Sequence, residues 1–149
     1  MDKYAMKCSE RNTNDYNEIL MGIRKRPKMY LGKKSLRNLH MFMEGYKVSM
    51  YRKPCTFIHD EGFMEFIHEK YNDYVTLHYF QVIERHSNSE EEAFDKYFEL
   101  LDEFTERKNS DSNFIPTLTK NWQKRLGIGI GYEPWEMTVD ELDDIPPLK

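Results

Sequence analysis

The apolar residues that follow Ser89 recur with the period of an α-helix, and they constrain the fold of this chain more than any other feature. They lie at steps of three and four, at Ala93, Phe94, Tyr97, Phe98, Leu101 and Phe104. Ser89 and Glu92 form a capping box, and glutamates fill the first turn, where the helix dipole favours negative charge. The pattern predicts a helix over Glu90–Arg107 with one buried face.

Three shorter segments repeat apolar residues at the same helical spacing. We expect a helix over Asp15–Ile23 with Asn14 as its N-cap, and another over Ser35–Tyr51 that begins at a serine cap. Within the latter, Gly45 costs about 1 kcal/mol relative to alanine, so we expect a close packing contact there. A further helix is expected over Glu61–Tyr71.

The remaining segments carry weaker patterns. Tyr74–Glu84 is rich in β-branched and aromatic residues, which fits a strand or a helix, and we favour a helix because few other segments could pair with a strand. Asn109–Asn113 is expected to be a polar loop. Pro116–Arg125 is expected to hold a short helical turn around Trp122. Leu126–Tyr132 is too rich in glycine for a stable helix, and its glycines predict a turn.

These patterns predict a mainly α fold, a small single-domain helical bundle over residues 1–149 with a minor β contribution left open. An irregular connecting arm and a C-terminal tail accompany the helices, and residues 1–13 and 136–149 are expected to be flexible. The two cysteines, Cys8 and Cys55, are too few for a disulfide scaffold and lack the spacing of a zinc site.

The segment RKRPKMYLG, which begins at Arg24, is expected to lie in the connecting arm over residues 24–34. Pro27 restricts Arg26 to extended conformations and should stop any helix, and Gly32 should form a turn. Two roles fit the arm. Its side chains could form an exposed protein-binding site, since arginine, tyrosine and methionine are enriched in interface cores, with Arg24, Arg26, Met29 and Tyr30 as its residues. Alternatively, Met29 and Tyr30 pack the arm against the core, which is the role we favour.

Positive and negative charges are segregated along the chain, whose formal net charge is −4. A basic block holds Arg24, Lys25, Arg26, Lys28, Lys33, Lys34 and Arg37. Glu90–Glu106 and Glu133–Asp144 are acidic. The opposite charges either pair within the fold or present two oppositely charged faces to partners. The net acidity and the absence of a recognised motif argue against nucleic-acid binding.

No set of residues in the sequence predicts catalysis, a metal or a cofactor. His40 and Glu44 lie one helical turn apart, but a solvated contact on the helix surface explains the pair better than an acid–base site. His59 lacks a third partner, Cys55 lacks a nucleophile motif, and the glycines of Gly127–Tyr132 do not complete a phosphate-binding motif. We therefore expect a protein that is not an enzyme.

RKRPKMYLG resembles the arm of gyrase-type ATPases, whose pattern is R-K-R-P-G-M-Y-I-G followed by a helix. In that family a helix supplies an acidic and an amide residue to the ATP magnesium and water. Glu44 could stand for the acid, but no Asp-Asn pair follows, and the adenine-contacting Asp-x-Gly and glycine-rich lid motifs are missing. The resemblance covers less than a tenth of the chain, so ATPase activity is not expected.

A longer pattern resembles that of a group of small bacterial proteins, which are similar in size and style to immunity proteins that neutralise polymorphic or contact-dependent toxins. It comprises R-P-x-M-Y-L-G at Arg26–Gly32, S-L-x-x-L-x-x-F-x-x-G-Y at Ser35–Tyr46, and an acidic helix at Glu91–Phe104. The resemblance implies a protein-binding inhibitor that occludes the active site of a cognate toxin and uses no catalytic residues or cofactor. A small adaptor with another protein partner is the alternative.

Many such toxins are nucleases with basic clefts, towards which an acidic surface would steer the inhibitor. The predicted acidic binding residues are Glu99, Asp102, Glu103 and Glu106. These carboxylates could equally well only solvate the helix. The N-terminus has no apolar core of a signal peptide and no apolar run approaches the ~20 residues of a membrane span, so a cytoplasmic location without membrane contact is expected.

Overall fold

The computed structural model describes residues 10–50, 61–74 and 78–126, and every regular element in these ranges is an α-helix. The mainly α fold class is therefore confirmed. In chain order the helices are α1 (Glu10–Lys25), α2 (Pro27–Leu31), α3 (Leu36–Met50), α4 (Phe63–Tyr71), α5 (Tyr79–Arg85), α6 (Glu90–Ser110) and α7 (Phe114–Leu126).

Helix α6 lies at the centre of the packing and contacts α3, α4, α5 and α7. Its aromatic face supplies Phe94, Phe98 and Phe104, each at most 2% exposed. All the described helices except α2 contribute fully buried side chains to the same apolar cluster. Aromatic rings bury much area each, and in this cluster they pack together with leucine, isoleucine and valine side chains.

The cap predicted for α6 is present, but the Glu92 carboxylate accepts its hydrogen bonds from Asn88, the residue before Ser89. The backbone N–H of Glu92 donates to the Ser89 hydroxyl at 3.1 Å. The Glu92 carboxylate accepts from the backbone and side-chain amides of Asn88, both at 3.0 Å, and these hydrogen bonds lower the pKa of Glu92. The helix extends to Ser110, so the loop expected from Asn109 begins two residues later.

Two prolines begin or enter helices that the sequence analysis did not expect. Pro27 occupies the first position of α2, and Arg24 and Lys25 form the end of α1. The expectation of an irregular arm over residues 24–34 is therefore wrong for Arg24, Lys25 and Pro27–Leu31. Arg26 is neither helical nor extended, with φ −137° and ψ 59°, whereas Gly32 ends the helix in a turn with φ 76°, as expected. Pro116 lies in the first turn of α7, a full helix instead of the expected short turn. Proline is tolerated there because the first N–H groups of a helix lack acceptors.

The remaining differences concern helix ends and one glycine. Helix α1 begins at Glu10, so Asn14 is inside it and is not its N-cap. The helix favoured over Tyr74–Glu84 is present as α5, but it begins at Tyr79. Ser35 caps α3 as expected, accepting from the backbone N–H of Asn38 at 3.3 Å. The close contact expected at Gly45 is absent, because a Cβ there would meet no described atom within 4 Å.

Several sequence-based expectations lie outside the described residues. They concern Cys8, Cys55, His59, the glycine-rich segment Gly127–Tyr132 and the C-terminal tail. Within the part of the chain that the structure describes, none of the helices combines the length and the apolar character needed to cross a membrane.

Candidate protein-binding surfaces

The fold divides the basic block into cations that pair internally and cations that do not. Four of the block's residues form ion pairs with carboxylates of α5 and α6 at 2.6–2.9 Å: Arg24 with Asp102, Lys33 with Glu90, Lys34 with Asp95, and Arg37 with Glu84. For these four, the charge segregation seen in the sequence is intramolecular. The pairs hold α1, α3 and the turn between α2 and α3 against α5 and α6.

Arg24 shows how closely a paired cation is built into the fold. Both of its terminal nitrogens donate to the Asp102 carboxylate, at 3.0 and 2.8 Å, and its guanidinium lies 5.0 Å from the centre of the Phe98 ring. The hydrogen bonds to Asp102 raise the pKa of Arg24. Arg24 and Asp102, two of the predicted binding residues, therefore bind each other, and their ion pair joins α1 to α6.

The other three cations of the basic block lie where α1 passes into α2. Lys25, Arg26 and Lys28 are exposed, and within the described residues none of them forms an ion pair or a side-chain hydrogen bond. Met29 is 70% exposed and Tyr30 37% exposed beside them. We call these five residues, Lys25, Arg26, Lys28, Met29 and Tyr30, the α2 ridge.

Tyr30 packs against neighbouring helices, whereas Met29 is exposed. The Tyr30 ring meets the Phe42 ring edge-on with centroids 6.3 Å apart, and its hydroxyl lies over Gly22, where a Cβ would be only 3.3 Å away. The packing role favoured for this pair holds for Tyr30. It is wrong for Met29, which projects into solvent, and the neighbouring Leu31 packs against the core instead.

The predicted acidic residues of α6 also fall into two groups. Asp102 is bound by Arg24, and both carboxylate oxygens of Glu103 accept from the Lys70 ammonium at 2.8 Å. Glu99 and Glu106 are exposed and have no ion pair among the described residues. A groove of about 490 Å³ between α1 and α6 is bordered by Asp102 and Glu106. Half of the predicted acidic site is thus neutralised within the fold.

Sequence reasoning missed four exposed residues that bear on binding. Lys25 and Lys28 are unpaired members of the ridge, and nothing in the sequence separates them from the paired lysines. Met41 and Val48 of α3 are 65% and 74% exposed. Their signal was available, because both fall on the opposite side of the helix from its buried stripe, which comprises Leu36, Leu39 and Met43.

The residues considered for catalysis are engaged separately. The Nδ1 atom of His40 lies 3.2 Å from the Tyr79 hydroxyl, and its ring stacks on Phe80 at 4.5 Å. The Glu44 carboxylate accepts from Lys47 at 2.9 Å. Among the described residues, no group of three or more histidine, cysteine or acidic side chains is placed to hold a metal ion.

A buried polar cluster connects α4 to α7. The indole N–H of Trp122 donates to Nδ1 of His68 at 3.3 Å. An indole nitrogen can only donate, so His68 carries its own proton on Nε2, which is buried without a hydrogen-bond partner in the described chain. Burial lowers the pKa of His68, opposed by the nearby Asp73. The fold therefore holds His68 as a neutral imidazole.

Asp73 is the charged member of this region and is satisfied by α5. Its carboxylate accepts two hydrogen bonds from Arg85, at 3.2 and 3.1 Å, and lies 3.0 Å from the Nε2 atom of His86. The His86 ring stacks on Tyr71 with centroids 4.7 Å apart. These contacts fix the end of α4 to the end of α5 and give the cluster a structural role.

The chain was compared with protein-family models, with curated proteins and with solved structures. No family model, curated protein or solved structure matches it. Among the described residues, the α2 ridge combines exposed apolar side chains with cations that have no ion pair.

Proposed function

We propose that the chain is a non-enzymatic protein-binding inhibitor of the bacterial immunity type. It would act in the cytoplasm, where it neutralises a cognate toxin by covering the toxin's active site. One observation carries the proposal: Met29, 70% exposed, projects from α2 beside three cations that have no ion pair among the described residues. Methionine, tyrosine and arginine are enriched in protein–protein interfaces.

Contacts on both sides of the ridge hold its backbone against the fold. Tyr30 packs on Phe42, Leu31 contacts the core, and the carbonyl of Leu31 accepts from the Asn38 side chain at 3.3 Å. On the other side, Arg24 is bound by Asp102 just before the ridge begins. A surface that is ordered before binding loses less conformational entropy when the partner docks.

The resemblance to immunity proteins supports the toxin-directed form of the proposal. Its three pattern segments, Arg26–Gly32, Ser35–Tyr46 and Glu91–Phe104, lie in α2, α3 and α6 with their adjoining turns. Helix α3 packs against both α2 and α6. A pattern spread over more than half of the sequence therefore describes one contiguous part of the fold.

Co-expression with the toxin domain encoded directly upstream tests the proposed function. We expect the chain to restore growth of cells that produce the toxin and to bind the purified domain in calorimetry. Binding to another protein without rescue would favour the adaptor alternative. If the chain neither rescues the cells nor binds the domain, the immunity proposal is wrong.

A further inference from the structure

We propose that the α2 ridge is the surface that docks on the partner, and that the partner presents an acidic protein surface with an apolar pocket for Met29. The proposal deepens the function proposed above and rests on it only in so far as the partner is a toxin. It reverses the expectation from sequence, in which acidic residues of α6 approach a basic cleft.

The ridge combines an apolar contact with charge, whereas the other exposed apolar side chains do not. Among the described residues, the large exposed hydrophobic side chains are those of Met29, Tyr30, Met41 and Val48. Met29 follows directly after Lys28 and lies three residues from Arg26, neither of which is paired. Binding energy concentrates in a few buried aromatic, arginine and apolar side chains surrounded by polar contacts.

The positive charge of the ridge indicates the charge of the partner surface that would complement it. Lys25, Arg26 and Lys28 carry three positive charges within four residues, and no described carboxylate neutralises them. Placing a basic surface against them would add repulsion, whereas carboxylates would complete the missing pairs and speed association. An acidic surface is thus the complement that the ridge lacks.

The acidic face of α6 offers a poorer docking surface. A basic partner approaching Asp102 or Glu103 would have to displace Arg24 or Lys70, which already bind them. The two unpaired carboxylates, Glu99 and Glu106, have no large exposed apolar residue on α6 between them. Unpaired rim charges alone mainly affect association rates and contribute little to affinity.

A protein fits the ridge better than a nucleic acid. In the part of the basic block that follows the ridge, Lys33 and Lys34 are neutralised by the carboxylates of Glu90 and Asp95. These acids would approach the phosphates of a bound strand. Phosphate recognition depends on several free cations and gains nothing from the exposed thioether of Met29.

Site-specific photo-crosslinking in the cells that encode the chain tests the docking surface without assuming a toxin. A benzophenone side chain is placed at position 29 of the full chain and, as a matched control, at position 41, where the native methionine is 65% exposed. We expect position 29 to crosslink to one protein, at a peptide whose neighbourhood is acidic. Crosslinking only from position 41, crosslinking to a basic surface, or no product from position 29 would overturn the proposal.

Affinity measurements with the purified partner identified by crosslinking show how much each ridge residue contributes to binding. We expect Met29→Glu to weaken binding at least about 30-fold and Met29→Gln to weaken it less, while Met41→Glu changes it less than about 2-fold. The triple variant K25E/R26E/K28E should lower the association rate constant at least about 10-fold at low salt. Circular dichroism checks that each variant folds. Equal losses for Met29→Glu and Met41→Glu would contradict the proposal.

Two further probes separate the classes of partner. A 20-base-pair DNA duplex and phosphatidylserine vesicles, each titrated at 0.15 M salt, should bind wild type and K25E/R26E/K28E equally weakly. Tight binding to either that the triple variant abolishes would overturn the choice of a protein partner.

The two proposals can fail independently of each other. An acidic crosslinked partner that is not a toxin would contradict the immunity function and leave the ridge as the docking surface. Full neutralisation of the upstream toxin by the Met29→Glu chain would support the function and contradict the ridge.

Discussion

Arg24 and Arg26 are two residues apart and carry the same charge, yet the fold uses them in opposite ways. Arg24 donates twice to Asp102 and lies over the Phe98 ring. Arg26 stands at the start of α2, exposed, with no pair among the described residues. The same contrast separates Lys33 and Lys34, which are paired, from Lys25 and Lys28, which are not.

The contrast teaches that a run of like charges in a sequence can serve two purposes. The paired cations lie within reach of carboxylates on α5 and α6. The unpaired cations lie where α1 passes into α2, a helix that buries none of its residues. Stability should therefore depend on the first group, and binding on the second.

The largest expected effect comes from removing the ring that supports a paired cation. Phe98 is 2% exposed, so Phe98→Ala should lower the free energy of unfolding by about 3–5 kcal/mol through lost burial and a cavity. Met29→Ala, which removes an exposed side chain, should change it by less than about 0.5 kcal/mol. Urea titration followed by circular dichroism measures both, and similar losses would break the contrast between core and ridge.

The next largest effect is a loss of stability at acidic pH, which we expect because the fold keeps His68 neutral. Its pKa is lowered in the folded chain, so the unfolded chain binds this proton at higher pH. The stabilisation that comes from keeping His68 neutral should be fully present above the ordinary histidine pKa of about 6.5. The free energy of unfolding should fall as the pH drops below that value. Protonation would also place an N–H opposite the N–H of Trp122.

Histidine variants isolate this acid response. Urea titrations between pH 7.5 and 5 should show a smaller loss of stability in His68→Gln than in wild type. His78→Gln, which removes an exposed histidine from the start of α5, should keep the wild-type loss. An unchanged pH dependence in His68→Gln would show that another group is responsible.

A smaller difference in stability is expected between substitutions of Arg24 and Arg26. Arg24→Gln should lower the free energy of unfolding by about 1 kcal/mol, because a partly exposed ion pair is screened by water but the stacking on Phe98 is also lost. Arg26→Gln should lower it by less than about 0.5 kcal/mol. A double-mutant cycle of Arg24→Gln with Asp102→Asn measures the pair, and a coupling near zero would show that the contact is only geometric.

The sequence predicts the fold best where a local pattern and burial agree. Helix α6 has both an apolar period and a cap, and it was predicted within three residues at its C-terminal end. Helix α2 was missed because Pro27 was interpreted as a helix breaker, and α7 was predicted only as a short turn within a segment that begins at Pro116. The positions of these prolines in the first turn, where the missing N–H costs nothing, depend on where each helix begins, which an apolar period does not fix.

The candidate site was predictable only as a set of residue types. Arginine, methionine and tyrosine in the segment from Arg24 to Gly32 indicated a binding surface, and Met29 and Arg26 are indeed exposed. The pairing of Arg24 with Asp102 joins residues 78 apart in the chain and depends on how α1 packs on α6. No local pattern could separate paired from unpaired cations.

The most direct test of the division within the basic block measures stability and binding in two variants that lose the same number of charges. In R24Q/K33Q/K34Q we expect the free energy of unfolding to fall by about 1–2 kcal/mol while affinity for the crosslinked partner is retained. In K25Q/R26Q/K28Q we expect it to change by less than about 0.5 kcal/mol while affinity falls at least 10-fold. Retained binding in the second variant, or lost binding in the first while it remains folded, would contradict the division.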